Sequence, residues 1–258
     1  MFGALLSVHR GQFDPYGAAS RNAGCRDRAL SKRVLTQDRL RCYNQSMNIQ
    51  TLIALILQAV MILLTVLSLL ITRHHERTEH PERTGSHIFR YFTNDSNAFA
   101  AVTAAVSIPF YVKIMAGSTS ALPLPLILLY FTASSAVFVT LTTVLFFLGP
   151  MMGYKELFSG PALHLHLTGP LLMCVSFVLL LPGKRVAYGY VPLCLLPTLL
   201  YGIVYFVMVV VRGSENGGWP DLYNFNQGGR GAISSVAMLA GTFLLGMLLL
   251  FLRSLAGS

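Results

Sequence analysis

The sequence predicts an all-α, polytopic membrane protein: six transmembrane helices in one bundle. Three observations predict it. Of 258 residues, 54% are hydrophobic and only 11% are charged, against about a quarter charged in soluble domains. Several apolar runs approach or exceed the roughly 20 residues a helix needs to cross a bilayer. The runs are continuous rather than alternating, which favours helices over strands, and in hydrocarbon only helices or closed barrels satisfy the backbone.

Residues 1–48 are polar, basic and without apolar periodicity, and read as a flexible basic tail ahead of a transmembrane domain at 49–254. Ala4-Leu5-Leu6 is too short for a signal-peptide core, and the arginines follow it rather than precede it. Met47 stands immediately before the first apolar run, so a start-site artefact is a second reading of the tail. N-terminal sequencing of the natural protein separates the two.

The first helix is expected at about 49–71, followed by a charged connection through His87. The second spans about 93–114, with Pro109 as a kink. Pro123 and Pro125 open the third, which is expected to stop at Gly149-Pro150. Its middle, Thr132-Ala133-Ser134-Ser135-Ala136, carries the small residues that let membrane helices approach closely. The fourth runs over about 162–181 and ends at Pro182-Gly183. The fifth covers about 190–211 with Pro192 and Pro197 in its first turns, and the sixth about 232–252.

The net charge of +9 is local: eight of nineteen Lys and Arg lie in the tail, against Asp14, Asp27 and Asp38. A nucleic-acid partner requires basic side chains on a folded face, so none is expected, and membrane lipids are the expected partners. Six helices put both termini on one side. The tail, Lys113, Lys184, Arg185 and Arg253 then give twelve Lys and Arg on that side against seven opposite, and four against seven without the tail. By the positive-inside rule the termini are cytoplasmic when the tail is present. Cys25, Cys42, Cys174 and Cys194 form no CxxC pair, so neither a disulfide framework nor a thiolate metal site is implied; no cofactor is expected.

Helix parity gathers the polar residues on the face opposite the termini. Thr93 opens the second helix, His164 and His166 open the fourth, Arg212 ends the fifth, and the Trp219–Tyr223 loop follows it. Polar groups at membrane depth are costly, which makes the cluster a functional candidate. Thr93 has two readings: one of Thr93, Asp95 or Ser96 caps the second helix, or Thr93 is a nucleophile activated by a neighbouring base. His164 and His166 lie about 200° apart around a helix, so joint metal binding is not expected. Each is either a general base or a hydrogen-bonded interface residue. His74, His75, His80 and His87 read as a solvated loop. Arg212 neutralises an anionic group or anchors its helix; Trp219 and Tyr223 fit an aromatic belt or a pocket. No GxSxG, HExxH, P-loop or GxGxxG is present.

Tyr91-Phe92-Thr93-Asn94-Asp95-Ser96-Asn97, His166-Leu167-Thr168-Gly169-Pro170, Pro192 through Tyr205 into Val211-Arg212-Gly213, and Gly218-Trp219-Pro220 together resemble the androgen-induced-gene/ADTRP family. The likeness is closer still to its bacterial six-helix relatives, and covers roughly residues 50–255. It implies a six-helix membrane hydrolase of fatty acyl esters in a bacterial cytoplasmic membrane, with Thr93 as nucleophile and His166 as base. Asn94, Ser96, Asn97, Arg212, Trp219 and Tyr223 are the expected site-lining residues. The animal members carry Asn-His-x-x-His-Thr, whereas this chain has Leu163-His164-Leu165-His166-Leu167-Thr168, which keeps His164 as the alternative base.

The competing expectation is a non-enzymatic membrane protein: a small transporter, a lipid-binding module or an assembly factor. The proline-interrupted fifth helix and the Ser/Thr strip of the third would line a path. A cavity holding Thr93 and His166 together favours the enzyme; a continuous path favours transport.

Overall fold

The computed structural model describes residues 49–81, 87–183 and 185–256. The tail at 1–48 and Lys184 lie outside the described residues. Among the described residues, six helices are long and apolar enough to cross a membrane: α1 (Ile49–Glu79), α2 (Phe92–Met115), α3 (Leu124–Met152), α4 (Gly160–Leu180), α5 (Tyr188–Arg212) and α6 (Gly231–Leu255). No strand occurs among the described residues. The chain is an all-α bundle with the make-up of a multi-pass integral membrane protein.

α1 is built inside out. Thr51, Ala54, Gln58, Met61, Thr65 and Ser68 are all buried, while Leu52, Ile56, Leu63 and Leu70 are exposed. Spacings of three and four put the buried set on one face. That face carries the polar side chains of Thr51, Gln58, Thr65 and Ser68, and the other is hydrocarbon. In lipid this is the favourable arrangement, because hydroxyls and amides bond across helices while aliphatic chains meet acyl tails.

α1 also runs a further two turns beyond the expected end at 71. The charged segment Thr72–Glu79 contains neither Gly nor Pro, and His75 pairs with Glu79 one turn on at 3.3 Å, a spacing that supports a helix. Pro81 supplies the stop. His87 departs from the solvated-loop expectation as well: it is buried, with Nδ1 3.4 Å from a Glu76 carboxylate oxygen.

α3 is the central helix, packed against α2, α4, α5 and α6. Ala133, Ser134, Ser135 and Ala136 are fully buried, the close approach their small size predicts. Gly149-Pro150 does not stop this helix. A π-helical turn at Val144–Leu148 lets the Gly149 N–H reach back five residues to the Val144 carbonyl, and Pro150, which has no N–H, then sits in the first turn of the segment that ends at Met152. α4 carries two more such turns, His164–Thr168 and Ser176–Leu180. α5 begins as a 3-10 helix over Tyr188–Cys194, around Pro192.

At the far end of the bundle Arg253 is only 2% exposed. Its guanidinium donates to the carbonyls of Phe177 and Leu181 at the end of α4 and lies over the Phe177 ring, 5.0 Å from its centroid. Arg253 therefore ties α6 to α4 rather than standing at the surface among the topology-setting charges.

Candidate functional site

The first turn of α2 organises the polar face. Its N-cap is Tyr91, in extended conformation and without a cap bond from its own side chain. The Phe92 N–H donates to the Tyr223 hydroxyl at 3.2 Å. Burial pushes the Tyr223 phenol above its ordinary pKa, so it stays a neutral hydroxyl. The cap thus comes from the α5–α6 connection, and the expectation that Thr93, Asp95 or Ser96 caps α2 is corrected.

Asn94, Ser96 and Asn97 of this turn are committed to packing bonds, whereas the half-buried Asp95 carboxylate makes no hydrogen bond among the described residues. Asn94 Nδ2 donates to the Ile88 carbonyl at 2.6 Å. Ser96 Oγ bonds the Thr140 hydroxyl of α3 at 2.9 Å and donates to the Thr93 carbonyl at 3.1 Å. Asn97 Nδ2 donates to the Thr93 carbonyl at 2.8 Å and to the Leu165 carbonyl of α4 at 2.7 Å. Thr93 differs from these three. Its carbonyl accepts two of these bonds, but its hydroxyl has no hydrogen-bond partner among the described residues.

Thr93 lines a cavity of about 300 Å³ between α2, α3, α5 and α6, together with Phe92, Thr140, Thr198, Tyr201 and Tyr223. The walls are mainly hydrocarbon, punctuated by threonine hydroxyls. The volume lies at the lower end of the 300–1,000 Å³ usual for small-molecule sites. Phe92 and Tyr201, with ring centroids 5.2 Å apart, separate it from a more open groove of about 630 Å³ that carries Asp95, Ser96 and Trp219.

Neither histidine lines the Thr93 cavity. His164 is 7% exposed and its Nε2 lies 2.9 Å from the Thr65 hydroxyl of α1. His166 Nδ1 lies 2.7 Å from the Leu157 carbonyl. A carbonyl only accepts, so Nδ1 carries the proton and Nε2 is left as the accepting nitrogen. Both sit on the π-helical turn His164–Thr168, and Asn97 holds that turn against Thr93 through Leu165.

Trp219 packs edge-on against Tyr205, with centroids 6.3 Å apart, and lies under the Arg90 guanidinium at 5.8 Å. Arg212 stands apart: it is exposed, lines neither space, and donates from Nε to the Asn216 carbonyl. Three residues that hold this face were not among the expected site residues. Thr65 anchors His164, Tyr201 donates to the Arg90 carbonyl at 2.7 Å, and the Asp221 carboxylate collects the Tyr205 hydroxyl and the N–H groups of Phe225 and Asn226. The available signal for Thr65 was its place in the buried three-and-four pattern of α1. No protein-family model, no curated protein and no solved structure matches the chain.

Proposed function

We propose that the protein is a membrane-embedded hydrolase of lipid acyl esters, with Thr93 as nucleophile and His166 as its base. The observation that carries this reading is the unpartnered Thr93 hydroxyl on the wall of an apolar cavity. Asn94, Ser96 and Asn97 on the same turn each have a structural bond, which leaves the idle Thr93 hydroxyl available for chemistry. An acyl chain fits the hydrocarbon wall, and its ester end would lie at the threonine. His166 supports the role of base because its bond to Leu157 leaves Nε2 as the accepting nitrogen. The motif resemblance points to the same pair. The termini are assigned to the cytoplasmic side of a bacterial membrane, so the site opens toward the opposite leaflet.

A fluorophosphonate probe tests the assignment on purified protein in detergent. Labelling is expected in the natural sequence and lost in Thr93→Ala and His166→Ala. Labelling that survives in both variants removes Thr93 and His166 from the reaction.

A second reading, a lipid-binding module without turnover, is favoured by one specific observation: the cavity wall contains neither His164 nor His166. Under this reading the cavity holds an acyl chain and the histidines serve packing. Native mass spectrometry showing a co-purified lipid, with no probe labelling, would select it.

A further inference from the structure

Asn97 and His164 each leave one buried polar atom unused. Asn97 Oδ1 and His164 Nδ1 have no hydrogen-bond partner among the described residues, although the residues are 0% and 7% exposed. Their remaining polar atoms are committed: Asn97 Nδ2 to the carbonyls of Thr93 and Leu165, and His164 Nε2 to Thr65. Neither side chain can turn away to find another partner without breaking these bonds. Both border the same glycine. A Cβ on Gly169 would stand 2.6 Å from Asn97 Oδ1, 3.1 Å from the His164 carbonyl oxygen and 3.2 Å from His164 Cε1, the ring carbon next to Nδ1. Gly169 closes the π-helical turn, its N–H bonding that same His164 carbonyl, and such turns recur at functional sites.

The geometry points to a bound water joining Asn97 Oδ1 to His164 Nδ1 beside Gly169, the water that releases the acyl group from Thr93. Unpaired polar atoms buried in a bundle are costly, and a water needs two to four polar partners. Asn97 Oδ1 and His164 Nδ1 provide two. The bridge holds for either tautomer. If His164 donates from Nε2 to Thr65, the water donates to both Nδ1 and Oδ1. If Thr65 donates to Nε2, Nδ1–H donates to the water, which donates to Oδ1. The first tautomer makes Nδ1 a base aimed at the water, and Thr65 the residue that positions it.

The catalytic half of this inference rests on the hydrolase reading and divides that reaction between the two histidines. In acylation, Thr93 Oγ bonds the ester carbonyl carbon. Its proton passes to His166 and on to the alcohol, which leaves as the ester C–O bond breaks. In deacylation, the water oxygen bonds the same carbon and gives one proton to His164 Nδ1. The bond to Thr93 Oγ breaks, the threonine oxygen takes that proton back, and the carboxylic acid departs.

Pre-steady-state kinetics with a p-nitrophenyl fatty-acyl ester test it on the full-length protein in detergent. Gly169→Ala and His164→Gln are expected to release a burst of about one equivalent of p-nitrophenol, then turn over roughly 100-fold more slowly, the scale of a lost general base. His166→Gln is expected to give no burst. Thr65→Val, which leaves Gly169 untouched, keeps the burst and slows turnover, so the test survives if Gly169→Ala fails to fold. Burst and turnover falling together in Gly169→Ala and His164→Gln, or neither changing, overturns the water site. A natural sequence that neither turns over nor forms an acyl adduct on Thr93 by mass spectrometry overturns the hydrolase reading itself, and with it the role of the water.

Discussion

The side-chain amide of Asn97 donates to the Leu165 carbonyl at 2.7 Å, and that bond couples the first turn of α2 to the widened turn of α4 that carries both histidines. The same nitrogen holds the Thr93 carbonyl. Asn97→Ala therefore removes two bonds at once and leaves two carbonyls without this donor in a fully buried place. The expected cost is about 1–3 kcal/mol, the range for orphaned buried groups. It should appear as a lower unfolding temperature in detergent, accompanied by loss of probe labelling because the two halves of the site are no longer tied. Unchanged stability would mean that the two helices are held together elsewhere.

Thr93 separates stability from chemistry. Its hydroxyl bonds nothing among the described residues, so Thr93→Val, which has nearly the same shape, should change stability by no more than about 0.5 kcal/mol. Labelling should vanish in Thr93→Val and persist in Thr93→Ser, which restores a hydroxyl. A Thr93→Val protein that is both less stable and fully labelled would give the hydroxyl a structural role instead.

The six spans were legible because length and hydropathy alone decide which segments suit a bilayer, and each observed helix overlaps its expected run. What the sequence could not convey was hydrogen-bond register. Gly149-Pro150 looks like a stop, yet the π-helical turn before it absorbs the proline; nothing in Val144–Leu148 announces that turn. The mistaken cap at α2 has a related cause. Local rules look for a cap within the turn, whereas the acceptor is Tyr223, 131 residues away. Thr65 was legible in principle as one step of a polar stripe at three-and-four spacing, but an apolar run invites attention to its length rather than to its few hydroxyls. Arg253 was counted as an interfacial charge because arginine near a helix end usually is one; only packing shows its carbonyl partners on α4.

Tyr223→Phe tests the long-range cap. The phenyl ring can keep its packing against Tyr205, whose centroid lies 5.5 Å away, while the Phe92 N–H loses its acceptor. A loss of about 1 kcal/mol is expected, the usual scale for a deleted helix cap. Hydrogen exchange should locate it in the first turn of α2, with α6 unaffected. Uniform destabilisation without faster exchange at that turn would mean the hydroxyl matters for the loop rather than for the cap.

Gly202 offers a way to close the Thr93 cavity without touching any polar group. It lines the cavity, and a Cβ placed on it would meet nothing within 4 Å. Gly202→Leu should therefore project into the space rather than clash, and replacing a mid-helix glycine gains up to about 1 kcal/mol of helix propensity. The expected protein is as stable as the natural one or more so. It should bind less co-purified lipid and lose hydrolysis of long-chain esters while retaining short-chain ones, whose acyl group needs less of the cavity. Rates compared across chain lengths check this. Equal losses at every length would mean that the leucine disturbs Thr93 itself; no loss at any length would mean that the acyl chain lies elsewhere, with the groove beyond Phe92 and Tyr201 next in line.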